Sequence, residues 1–112
     1  MEPRQADVWM ADLDPTRGHE QAGKRPVLVI SEDVFNGSPA GLVVILPITS
    51  KSKGIRSHVP VAPGETGLRT QSFVICEQPR TIARERLGKR IGRINDGLLG
   101  NVQGWLRVLL GL

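Results

Sequence analysis

The richest concentration of reactive side chains is the run DPTRGHEQAGKRP, residues 14–26. Asp14, Arg17, His19, Glu20, Lys24 and Arg25 stand there on a stretch with Pro, Gly and no hydrophobic period, which predicts a polar loop over residues 14–24. A solvated loop explains the charges but not the mixture of carboxylate, imidazole and guanidinium over so few positions. Arg25 differs from the rest because Pro26 follows it. A residue before proline is confined to extended backbone, which fixes where its side chain points. Its guanidinium is a planar fork able to donate two parallel hydrogen bonds, the geometry that suits a phosphate. Thr49 stands directly after an apolar run, in PITS at residues 47–50. Two neighbouring strands would carry Arg25 and Thr49 to one rim. Without that neighbourhood, Arg25 reads as an ion-pair partner of Glu20 or Glu77, and Thr49 as a turn cap.

Other chemical templates are missing from the sequence. There is no Walker loop, no GxGxxG dinucleotide fingerprint and no zinc-ligand spacing. His19 and His58 lie in different segments. A two-histidine acid–base ribonuclease is conceivable, but a loop or strand-surface position is the plainer reading of each. Cys76 is the one cysteine, which excludes an internal disulfide and a multi-cysteine zinc site. Its apolar setting predicts a buried, inert thiol. Trp9 and Trp105 fit core positions better than a base-stacking platform.

The elements that must position these groups follow from the apolar runs. Residues 7–13, 26–31, 42–48, 58–61 and 71–77 read as strands, the second buried on both faces. Pro47 suggests a strand end or a sheet edge. Residues 32–37 fit one helical turn, 49–54 a polar loop, and 91–94 a short strand within the basic segment 80–93. Leu98, Leu99, Val102, Trp105, Leu106 and Leu109 share one face of a terminal helix. Asn95 or Asp96 is its N-cap and Gly111 its stop. The pattern predicts a mainly β domain, a small twisted sheet or partly open barrel capped by a C-terminal helix.

Size and charge bound the function. The chain has 112 residues, one domain's worth, so a shallow cleft or a site shared between subunits is expected. Apolar residues make up 39% and charged residues 23%, the balance of a soluble globular domain. The run 42–48 is too short to span a bilayer, and the N-terminus lacks an apolar leader core. A reducing cytoplasm is the simplest home. Fifteen Lys and Arg against eleven Asp and Glu give a net charge of +4, and eleven of the fifteen bases are Arg. An Arg-biased basic domain makes nucleic acid the leading partner class, with a merely soluble surface as the alternative.

The run DVWMADLDPTRGHEQAGKRPVLVIS (residues 7–31) resembles the opening signature of the MazF/PemK-type toxins of bacterial toxin–antitoxin systems. ILPITSKSKG (residues 45–54) and SFVICEQPRTIARERLGKRIG (residues 72–92) extend the resemblance in order over nearly the whole chain, residues 1–112. It implies a small SH3-like barrel of the MazF/CcdB/Kid type. It also implies a homodimeric endoribonuclease that cuts single-stranded RNA at a short sequence with no metal or cofactor. The expected ends are a 2′,3′-cyclic phosphate and a 5′-hydroxyl, and the expected partner is a MazE-like antitoxin. The family's catalytic Arg, Thr and acidic residue fall on Arg25, Thr49 and Glu20. Arg25 would clamp the phosphorane, Thr49 would donate to the same oxygens, and Glu20 or His19 would transfer protons. Lys53 and Gln78 match RNA-contacting positions, and Arg17, His19, Gln21, Lys24, Ser50 and Arg80 are further candidate RNA contacts. The alternatives are a non-enzymatic gyrase-inhibiting toxin of the same fold and an RNA-binding barrel without cleavage, and such a binding module would need phosphate contacts but not the Arg25–Thr49 pair.

Overall fold

Period-two alternation along the central apolar runs builds a sheet buried on both faces. In the computed structural model, which describes residues 2–14, 23–64 and 66–112, its centre is β1 (Asp7–Asp12), β2 (Lys24–Val29) and β3 (Leu42–Thr49). Outer strands are β4 (His58–Val61), β5 (Ser72–Ile75), β6 (Arg80–Ala83) and β7 (Leu87–Arg93). All pairings are antiparallel, in the order β4-β5-β3-β2-β1-β7, with β6 also on β3. Trp9, Val27, Val29, Val43, Ile45 and Ile82 cluster on one side. Val8, Leu28, Leu46, Ile48, Val59 and Val74 cluster on the other. Each such side chain fully buried contributes roughly 1.5–3 kcal/mol.

The helix α2 (Asp96–Leu110) covers the second cluster. Its glycines at 97, 100 and 104 lower its propensity, so packing holds it: Val102 is fully buried, and Leu98, Leu99, Trp105 and Leu106 lie against the core. Asn95 is the cap, its side chain accepting from the Leu98 N–H at 2.8 Å, and Gly111 ends the helix in the left-handed region at φ 69°. The apolar face stops one turn early, because Leu109 is 43% exposed. A short helix α1 (Asp33–Asn36) occupies the expected helical turn. No helix among the described residues is long and apolar enough to cross a membrane.

Three expectations need correcting. β2 begins at Lys24, two residues before the apolar run, because Lys24 pairs with Asp12 and Arg25 with Ala11 across β1. The basic segment 80–93 holds two strands, β6 and a seven-residue β7, in place of one short strand. Both are outer strands, where one inward residue suffices and exposed charges discourage further pairing. Pro47 is neither at an edge nor at a strand end: β3 continues to Thr49 and has β2 on one side and β5 and β6 on the other. Ile30 N–H donates to the Val44 carbonyl at 3.0 Å, so alternate pairs such as Val27–Pro47 are the non-hydrogen-bonded kind. The Pro47 nitrogen therefore faces away from β2, into the gap where β6 ends opposite Ile45 and β5 begins opposite Ile48. No ladder bond is lost there.

Backbone contact covers part of the β7 edge. A Cβ on Gly67 (φ +77°) would lie 1.8 Å from the Ile91 carbonyl oxygen, and one on Gly92 would lie 2.2 Å from that of Thr66. Glycine at both positions lets the turn over residues 66–68 cross the strand.

Candidate active site

Arg25 sits inside β2 and Thr49 is the last residue of β3. Alternation puts Arg25 on the face of Val27 and Val29, and Thr49 on the face of Pro47 and Ile45. Val27 opposes Pro47, so both faces are the same one, and Arg25 and Thr49 lie one alternate step further along neighbouring strands. The β2–β3 pairing itself ends at Val27–Pro47, a non-hydrogen-bonded pair, the kind at which facing side chains approach closest. Arg80 opposes Ile45 on β6, so it joins the same face from the far side of β3.

Thr49 is 5% exposed, and its Oγ1 accepts the Lys51 N–H at 3.2 Å. The turn-capping role is therefore real. It uses one lone pair of the oxygen, and a hydroxyl that accepts one bond still has its own proton to donate. Arg25 is half-buried. Glu77, one of its proposed ion-pair partners, has its Oε1 bound by Ser57 Oγ at 2.7 Å and its Oε2 by His58 Nε2 at 2.5 Å.

The remaining sequence candidates separate. Lys24 is exposed and alternates to the opposite face from Arg25. Ser50 and Lys53 are exposed in the loop after Thr49. Gln78 is half-buried in the connection from β5 to β6, its N–H bound to the Ile75 carbonyl at 3.3 Å. Arg17, His19, Glu20 and Gln21 lie outside the described residues.

One polar cluster escapes the sequence reading. His58 is not a strand-surface residue: it is 8% exposed, beside buried Ser57, and both bind Glu77. Only the pairing of β4 with β5, His58 opposite Ile75, brings these groups together, and no short-range spacing announces it. Burial would raise the Glu77 carboxyl, but hydrogen bonds from Ser57, its own backbone and His58, with the charge of His58, hold it below its ordinary value. Burial first, and the Glu77 charge second, push the Cys76 thiol up to about 12. Cys76 is fully buried and stays a protonated thiol at neutral pH, as its apolar setting predicts.

Comparison with known proteins adds an independent line. Residues 4–110 match the family model of the PemK-like, MazF-like toxins of type II toxin–antitoxin systems. The chain is 40% identical to the endoribonuclease PemK of Escherichia coli, over 93% of this chain and 79% of the relative. The crystal structure of MazF from Deinococcus radiodurans superposes with a TM-score of 0.88 at 31% identity, covering 100% of this chain and 99% of that one. A MazE–MazF complex from the same organism matches at a TM-score of 0.81 and 30% identity, covering 100% and 98%.

Proposed function

The chain belongs to the PemK/MazF-like toxin family of type II toxin–antitoxin systems, and from that premise we propose that it is an endoribonuclease cutting single-stranded RNA at a short sequence. The observation that supports this best is the shared face of Arg25 and Thr49 on adjacent strands. Cleavage begins when a ribose 2′-hydroxyl loses its proton and attacks the neighbouring phosphorus. Negative charge then builds on the nonbridging oxygens, and the 5′-oxygen leaves with a proton. Arg25 meets that charge with a bidentate guanidinium, and the Thr49 hydroxyl adds a third donor. A guanidinium holds its proton throughout the pH range in which RNA is cut, so Arg25 acts as a clamp and not as the base. Glu20 or His19 is assigned the proton transfers. Arg80, Lys24, Ser50, Lys53, Gln78, Arg17 and Gln21 are assigned to RNA binding.

Relatives named as endoribonucleases favour this reading over a gyrase poison or a passive RNA-binding barrel. The solved MazE–MazF complex supports a MazE-like antitoxin as the protein partner. We place the action in the cytoplasm, on messenger RNA. We also assign a homodimer, because a shallow face on one small domain grips few nucleotides and a two-fold copy doubles it. Sedimentation at micromolar protein is expected to give a dimer mass, and a monomer would refute that assignment.

The deciding experiment incubates purified protein with long RNAs of varied sequence in EDTA. Cleavage at a recurring short sequence is expected, leaving 2′,3′-cyclic phosphate and 5′-hydroxyl ends. RNA left intact across all sequences would refute the nuclease reading. Cleavage that vanishes in EDTA and returns with a divalent cation would refute the metal-free chemistry.

A further inference from the structure

We propose that Ser57, His58 and Glu77 form a latch that positions the lysine-bearing loop 50–56 beside the Gln78 connection and so sets the grip on RNA. The proposal rests on the nuclease reading above and assigns the three residues a positioning role.

The loop needs such a device. Residues 50–56 are all exposed and form no strand or helix, yet they carry Lys51, Lys53 and Arg56. Ordering long cationic side chains when RNA binds costs conformational entropy, and a loop already held in place loses less. Its front end is tied to β3 by the Lys51 N–H bond to Thr49 Oγ1. Its rear end is tied at consecutive residues. Ser57 Oγ and His58 Nε2 each bind one Glu77 oxygen, and Cys76 N–H donates to the Ser57 carbonyl at 3.1 Å. Bonds to a carboxylate are stronger than neutral ones, and the Ser57 and His58 ends of these bonds are buried although Glu77 itself is exposed. Glu77 precedes Gln78, and the same connection runs into Arg80 on the Arg25–Thr49 face. One carboxylate therefore couples the loop to the segment that flanks the reacting face.

The imidazole geometry favours positioning over proton transfer. His58 Nδ1 is buried with no hydrogen-bond partner among the described residues. The Nε2 contact with Glu77 is therefore the ring's one hydrogen bond among the described residues, and the ring has no second partner there through which a proton could be relayed. β4 is also the last strand of its side of the sheet, and Val59 and Val61 anchor it in the core without help from His58. Loosening the latch should free the loop before it unfolds the domain.

The test compares H58L with H58Q, whose amide N–H can still donate to Glu77, in the full-length protein. The readouts are steady-state cleavage of a short single-stranded RNA and RNA binding across a salt series. For H58L, KM is expected to rise about tenfold with kcat within about twofold. The slope of log affinity against log salt is expected to flatten by about 1.4, two phosphate contacts at about 0.7 each. H58Q should recover most of both. A folded H58L with wild-type KM and salt slope overturns the latch, and so does a loss confined to kcat. S57A removes one bond with little change in packing and covers the case in which H58L fails to fold. Its KM is expected to rise about threefold, and a wild-type KM in S57A overturns the proposal. Wild-type protein that cuts no RNA refutes the nuclease reading instead, and the latch is then judged by the salt slopes of binding alone.

Discussion

Arg25→Ala is expected to slow RNA cleavage by about a thousandfold, the cost of removing a main donor to a developing oxyanion, while the fold stays intact. The two halves of that expectation have different causes. Arg25 is held in place by main-chain pairing with Ala11, in a hairpin whose next hydrogen-bonded pair is Leu13 N–H to the Gly23 carbonyl at 2.9 Å. That pairing does not depend on the side chain. The guanidinium is half-buried at the rim of the sheet, so its loss should cost under about 1 kcal/mol of stability, the range of exposed ion pairs. The chemistry has no such reserve. Two parallel N–H donors matched to two phosphorane oxygens exist only in a planar fork. Arg25→Lys keeps the charge and discards the fork, so it should recover only part of the rate, leaving a loss of about a hundredfold. The defect should sit in kcat and not in KM, because Arg80 and the loop lysines still hold the ground-state phosphates. Single-turnover cleavage with a thermal melt alongside measures both halves. A well-folded Arg25→Ala protein that cuts within tenfold of wild type would remove Arg25 from the chemistry.

The two strands that carry Arg25 and Thr49 are legible in the sequence, and the reason is physical. β2 and β3 are buried on both faces, so their apolar runs are continuous and mark them to within two residues. Proline beside Arg25 and the PITS run at Thr49 set both groups just outside those runs, and the structure extends β2 and β3 to include them. β6 is harder to see, because of Arg80–Ala83 only Ile82 is buried, and one residue makes no period. Pro47 misleads for a related reason. Its missing donor excludes it from a ladder, but the site where β6 gives way to β5 has no ladder to break. His58 is least legible of all: a lone histidine opening a weak strand looks like surface, and its hydrogen-bond partner is a carboxylate nineteen residues away. Contacts across a sheet depend on register, which the local pattern of β4 is too short to specify.

Asp7→Ala is expected to cost about 3 kcal/mol of stability, through two orphaned donors and not through lost ion pairs. Asp7 is 2% exposed. Its Oδ2 accepts the Arg4 N–H at 2.9 Å and the Trp9 Nε1–H at 3.3 Å. Its Oδ1 lies 3.2 Å from Arg90 Nε and 3.6 Å from Arg93 Nη1, yet makes no aligned hydrogen bond with either. The two arginine side chains are 38% and 48% exposed, so water replaces the carboxylate around them when it is removed. The Trp9 donor makes a buried bond and has no such recourse, and the Arg4 N–H makes a part-buried one. Arg4 belongs to the turn closed by Asp7 N–H on the Arg4 carbonyl, where Ala6 sits at φ 78°, and the Trp9 ring is packed against Val27 in the core. Each orphaned donor costs roughly 1–3 kcal/mol. Asp7→Asn discards the charge but keeps an acceptor oxygen at the Oδ2 position, so it should cost only about 1 kcal/mol. Urea denaturation followed by tryptophan fluorescence compares the two variants. Equal losses would mean that the arginine pairing, not the two donors, is what Asp7 supplies.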